Sequence, residues 1–228
     1  MTFRRLLAAS LAFAAASAEA QPRNGTLQFQ PTKPNPAITA YGYYVGPFWG
    51  TVTSDPTRPK IDLYCVDVLN SISWGHNWSA NFTNLGSGDL SLTRHGNAKL
   101  AQYQQAAYLA SLFNTSGVAT TQWGGIQTAM WNLLNPGNPN GGTSTTNNTQ
   151  EAYWLAQASS WYATGGANNF DFSKWTIVTD VNAAGVVSGR GTQEFLTTGV
   201  TPEPETWILM GTGVLLIVGF AVRRGSLV

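Results

Sequence analysis

Apolar positions come in short runs divided by turn residues over residues 38–96, then recur at helical spacing over 97–163. Residues 38–52 carry Tyr41, Tyr43, Tyr44, Phe48 and Trp49 and predict one or two strands broken near Gly46-Pro47. Ser54-Asp55-Pro56 reads as a turn. Ile61, Leu63, Val66 and Val68 then surround Cys65, a composition that predicts a buried strand. Trp74, Trp78, Phe82 and Leu85 follow in short segments between Gly and Asn residues, consistent with further strands and loops. The period changes at Asn97. Ala98, Ala101, Ala106, Leu109, Leu112 and Phe113 share a helical repeat free of Gly and Pro. A second helix is expected from Thr120-Thr121 to Leu134, with Ile126, Met130, Leu133 and Leu134 as its stripe and Pro136 as its stop. Gly124-Gly125 weakens its first turns unless a neighbouring backbone packs closely there.

Residues 135–148 form a Gly/Asn/Thr tract expected to be a flexible exposed loop. Trp154, Leu155, Ala158 and Trp161 predict a third helix over 149–163, and Trp131, Trp154 and Trp161 are expected to face inward. Residues 170–178 and 192–197 return to strand, and the Pro- and Asn-rich stretch 21–37 reads as an extended lead-in. The fold class expected is α+β: a β-rich sandwich or barrel-like sheet with an inserted helical block of about three helices.

Both ends of the chain read as addressing segments. Residues 1–20 have a basic start (Arg4, Arg5), an apolar run over 6–16 and the ending Ala18-Glu19-Ala20, a secretory signal with cleavage expected between Ala20 and Gln21. Near the other end, Pro202-Glu203-Pro204 precedes an apolar run over 207–222 and then Arg223-Arg224. That run is at the short end for spanning a bilayer, and the arginine pair would remain on the cytoplasmic side. The order of these features over 201–228 resembles the PEP-CTERM sorting signal of Gram-negative bacteria. The resemblance implies an exosortase that cuts near the motif. The expected course is export, anchoring in the inner membrane through the C-terminal helix during sorting, then release to the cell surface or exterior. The expected partners are signal peptidase and exosortase.

Residues 21–200 remain as one ectodomain long enough to bury a core. Its four Lys and four Arg stand against six Asp and two Glu, so no basic face for nucleic acid is present. Low charge with many Asn, Thr, Ser, Gly, Trp and Tyr suits a surface or extracellular-matrix protein. Cys65 is the only cysteine and cannot close an intrachain disulfide. It is a pairing partner for another chain, a reactive sulfur, or a small buried hydrophobe.

Three motifs in chain order bear on that choice. Tyr64-Cys65-Val66-Asp67 is an aromatic, Cys, apolar, polar sequence. Ile126-Gln127-Thr128-Ala129-Met130-Trp131 follows a Thr-Gln-x-Ala-apolar-Trp pattern except at Ile126. Thr192-Gln193-Glu194-Phe195-Leu196 follows an apolar-Gln-polar-apolar-apolar pattern except at Thr192. Together they resemble the thioester domains of bacterial surface adhesins, in which a Cys side chain is joined to a Gln side chain with loss of ammonia. The resemblance implies that Cys65 and Gln193 form the bond, with Gln193 placed on a strand beside Cys65. Gln127 is the alternative partner. Otherwise Gln127 and Trp131, four apart on one helix face, support the site by hydrogen bonding and shielding. Strand alternation puts Asp67 on the face of Cys65, where it is a proton relay or a carboxylate capping a turn.

The chemistry needs an attacking thiolate, donors to polarise the amide oxygen and aromatic packing to exclude water from the finished acyl group. External attack by an amine or hydroxyl would then fix the protein covalently through Gln193. No cofactor is called for. His76 and His95 are the only histidines and have no partner at metal-ligand spacing. Phosphate-loop and nucleophile-elbow motifs are missing, and no acid/base pair suggests an enzyme with turnover. The alternative function is a noncovalent component of the extracellular polysaccharide or biofilm matrix, or an aromatic-lined carbohydrate binder, with Cys65 reduced.

Overall fold

The computed structural model describes residues 23–33, 38–137, 145–183 and 191–199. The signal cleavage at Ala20 and Gln21, the sorting motif Pro202, Glu203 and Pro204, the apolar run and the tail Arg223 and Arg224 lie outside the described residues, as do residues 138–144 of the polar tract. Among the described residues, no helix is long and apolar enough to cross a membrane.

Strand alternation and barrel closure account for each other. β4 (Phe48–Val52) buries every second residue, and β5 (Lys60–Cys65) starts the same way, with Ile61 and Leu63 buried between exposed Lys60 and Asp62. From Tyr64 onward both faces of β5 are buried, because helices cover the outer one. With β1 (Arg23–Phe29), β6 (Asn77–Asn84), β7 (Trp175–Asp180) and β8 (Phe195–Thr198), these strands close an antiparallel barrel in the order β1-β4-β5-β8-β7-β6. Closure leaves the barrel itself, as far as the described residues go, without an edge to pair with another chain. The two-residue strands β2 (Thr39–Ala40) and β3 (Tyr43–Tyr44) form a separate hairpin whose turn residues Tyr41 and Gly42 both have positive φ.

The barrel interior is packed by Leu27, Phe29, Phe48, Ile61, Leu63, Cys65, Trp78, Phe82, Val178 and Phe195. The outward residues Tyr64, Val66, Ile177 and Leu196 belong to a second core, shared with α1 (Leu100–Ser111), α2 (Trp123–Leu134) and α3 (Thr145–Ala163). The chain inserts this helical block between β6 and β7, which are themselves hydrogen-bonded neighbours. The expected α+β class is therefore found, with the sheet a closed barrel.

Some element limits differ from the sequence reading. α3 starts at Thr145, inside the expected loop; Thr and Asn are weak helix formers with no apolar stripe to read. β7 starts at Trp175, not at 170, because Asp171 caps a short 3-10 turn over Phe172–Lys174 by accepting from the Ser173 N–H. β8 starts at Phe195, not at 192. The backbone of Thr192 bonds side chains instead of a strand: its N–H donates to Asp180 and its carbonyl accepts from Arg94.

The paired glycines of α2 also find their reason. A Cβ at Gly125 would lie 2.5 Å from Gln150 Cβ and 3.0 Å from the Gln150 carbonyl carbon, so α2 and α3 touch backbone to backbone there. Gly125→Ala is expected to destabilise the fold by about 1–3 kcal/mol through this overpacking, although alanine is the better helix former. Urea unfolding should show a lower midpoint at unchanged slope.

Candidate functional site

Cys65 is the last residue of β5 and faces the barrel interior opposite Phe195 of β8. Just beyond this pair, the Val66 N–H donates to the Glu194 carbonyl at 3.0 Å, which carries the two chains on side by side. Asp67 and Gln193 thus arrive next to one another. The Cys65 thiol donates to the Asp67 carbonyl oxygen at 3.2 Å, and Gln193 Nε2 donates to that same oxygen at 3.3 Å. Two of the sequence-derived site residues, 128 positions apart by their numbers, therefore meet on one main-chain acceptor. Cys65 is 2% exposed, whereas Gln193 is only half-buried. The sulfur lies inside, and Gln193 is the more exposed residue of the two.

Helix α2 supplies the other two. Gln127 Nε2 donates to the Cys65 carbonyl at 2.5 Å, and Trp131 Nε1 donates to Cys65 Sγ at 3.4 Å. Their four-residue spacing puts both on the face that meets β5. Trp131 is the helix residue that belongs to the barrel-interior core, while Ile126, Ala129 and Met130 pack into the helical one. Gln127 Oε1 is buried without a hydrogen-bond partner. The β2–β3 hairpin covers Trp131: the exposed Tyr43 ring meets it edge-on at 5.8 Å. Glu151 of α3 ties this cover down, accepting from Tyr41 Oη at 3.3 Å and from Asn132 of α2 at 2.6 Å.

Of the two roles expected for Asp67, the geometry gives the capping one to its carboxylate. Asp67 follows the strand, so the alternation argument does not reach it. Its Oδ1 accepts from the Leu69 N–H at 2.9 Å, an Asx turn, and its Oδ2 accepts from Asn70 at 2.7 Å and pairs with Arg94 Nε at 3.1 Å. It is the main-chain oxygen of Asp67 that touches the sulfur.

Arg94 and Glu194 escaped the sequence reading. Both are fully buried. The Arg94 N–H donates to Glu194 Oε1 at 2.8 Å, Thr179 Oγ1 donates to the same oxygen at 2.5 Å, and Tyr103 Oη donates to Oε2 at 2.5 Å. Burial raises the Glu194 pKa against these three bonds, and burial with the Glu194 charge raises that of Tyr103 well above its ordinary range. A carboxylate directly before the apolar Phe195-Leu196 of a central strand, in a chain of which only 10% is charged, was a signal for Glu194. Arg94, in a loop, offered none.

Burial, and secondarily the Asp67 charge, push the Cys65 thiol up to about 12, overcoming the bonds from Trp131 and to Asp67 that act the other way. Cys65 is thus a protonated thiol at neutral pH, not the standing thiolate that reactivity would favour. No protein-family model matches the chain, and no curated protein or solved structure matches it.

The thiol is best examined in Gln193→Ala, where it stays free whatever bond the wild type forms. Raised from an ordinary value of 9.0 to about 12, it should alkylate with iodoacetamide about a thousandfold more slowly at pH 8 than in the urea-unfolded chain, three pKa units being a thousandfold in thiolate. The folded-state rate should keep climbing with pH through 11, while the unfolded rate levels off above 9.

Proposed function

We propose that this chain is an exported, exosortase-sorted surface or extracellular-matrix protein whose ectodomain forms an internal Cys65–Gln193 thioester for covalent attachment to amine- or hydroxyl-bearing targets. The observation that carries the reading is the shared acceptor: the thiol of Cys65 and the carboxamide of Gln193 both bond the Asp67 carbonyl. Export and sorting rest on the patterns at residues 1–20 and 201–228.

In bond formation, the sulfur attacks Cδ of Gln193. The C–S bond forms, the C–N bond breaks, and the thiol proton leaves with the nitrogen as ammonia. Gln127 Oε1, a buried acceptor without a partner, suits the N–H groups of departing ammonia or of an incoming amine. The neutral thioester tolerates burial that the thiolate does not. The environment that raises the thiol pKa therefore also disfavours thiolate as a leaving group and slows loss of the acyl group to water. Attack by a target amine on the half-buried side of Gln193 forms an amide, breaks C–S and returns Cys65 as the thiol. The event occurs once per molecule, without turnover.

A second reading has its own support. A thiol this buried and this weakly acidic also fits a noncovalent matrix component, in which Cys65 is a packing residue.

Intact mass of the purified full chain separates the two. The thioester reading expects a mass lower by one ammonia, uptake of one methylamine, and loss of both effects in Gln193→Ala and Cys65→Ala but not in Gln127→Ala. Full sequence mass with alkylatable Cys65 in the wild type would leave the matrix reading.

A further inference from the structure

Bond formation, on which this inference rests, requires the Gln193 carboxamide to be held against a buried sulfur. Gln193 itself makes one hydrogen bond toward the site, to Asp67, and the residue is only half-buried. Something else must hold its backbone. Arg94 touches the residue on each side of it: its main-chain N–H donates to the Glu194 carboxylate at 2.8 Å, and its guanidinium Nη2 donates to the Thr192 carbonyl at 2.8 Å. Its Nε pairs with Asp67, whose carbonyl is the common acceptor.

We propose that Arg94 is the positioning residue of the thioester: it clamps the chain on both sides of Gln193 to Asp67, and so sets the carboxamide and the thiol on one carbonyl. Three features argue for this role. The guanidinium presents donors in fixed, divergent directions from separate nitrogens, so Nη2 and Nε reach two segments at once, whereas a lysine offers a single nitrogen with no fixed donor directions. The clamp is itself rigid, since Arg94 follows a turn closed by Thr93, whose N–H and hydroxyl both donate to the Leu90 carbonyl at 2.9 and 2.8 Å. And buried ion pairs add little stability over apolar packing of the same volume, whereas these bonds of Arg94 end on Thr192 and Glu194, which flank Gln193, and on Asp67, whose carbonyl touches the thiol.

The test compares Arg94→Lys with Ile61→Ala in the full chain. Ile61 is buried at the far end of β5 from Cys65, so its variant reports loss of stability alone. Arg94→Lys is expected to lower the fraction of chain lacking ammonia about tenfold, the scale of losing one charge-assisted hydrogen bond, while Ile61→Ala keeps that fraction at an equal or greater drop in unfolding midpoint. Unchanged occupancy in Arg94→Lys, or equal loss in Ile61→Ala, overturns the proposal. A second readout does not depend on the bond. In a Gln193→Ala background, Arg94→Lys should speed alkylation of Cys65 at pH 8 about tenfold, as the loosened Asp67 segment relieves the burial that keeps the thiol protonated, and an unchanged rate again overturns it. If the wild type has its full sequence mass, the thioester reading falls, and the alkylation rate still decides the role of Arg94.

Discussion

The short pairing of β5 with β8 is the contact on which the rest depends. It joins strands far apart in sequence, with Tyr64 opposite Leu196 and Cys65 opposite Phe195. Long-range pairing of this kind has to offset a loop-closure entropy before it returns any contact. Here it is supported from both faces: Cys65 and Phe195 turn into the barrel, Tyr64 and Leu196 turn under the helices. Tyr64 stacks on Phe113, at the end of the first helical segment, with ring centroids 5.8 Å apart. A one-residue slip would exchange these faces, moving the thiol from the barrel to the helical core and away from Trp131.

Burial at this seam has opposite consequences for the two forms of the sulfur. It suppresses the thiolate, and it would protect an acyl group formed on the sulfur. Trp131 contributes to both, since it fills the barrel interior beside Sγ and carries the hairpin residue Tyr43 on its outer edge. The cover is tied across three elements through one carboxylate, Glu151. The acyl carbon of the proposed thioester would therefore be approached from the side of Gln193, which is only half-buried, and not through the aromatic packing.

The polar cluster behind the seam is unusual for so weakly charged a chain. Arg94, Asp67 and Glu194 are all fully buried, and the hydroxyls of Thr179 and Tyr103 complete the hydrogen bonds of Glu194. Buried charges need partners on every side to be tolerated, and meeting that need fixes where the surrounding backbone lies. In this barrel the backbone so fixed belongs to Thr192, Glu194 and Asp67, the neighbours of the two candidate reactive residues.

Much of this was present in the one-dimensional pattern. Alternation and helical period predicted the strand at Cys65, the three helices and their order, because these signals come from which side of an element faces water. The limit at Phe195 was not legible, since side-chain capture of the Thr192 backbone is decided by partners distant in sequence, whereas the limit at Trp175 is set by the local cap of Asp171 on Ser173, two residues on. Cys65, Gln127, Trp131 and Gln193 could be singled out as residue types in motifs. Their convergence could not, because it depends on barrel closure and register, properties of pairing between strands and not of any one strand. The sequence by itself determined which side chains were available and which faces would be buried. Only the tertiary structure decided that the thiol and the carboxamide share the Asp67 carbonyl, that the Asp67 carboxylate serves a turn and an arginine, and that Arg94 stands behind them, because a hydrogen bond is fixed by distances and angles that no local pattern encodes.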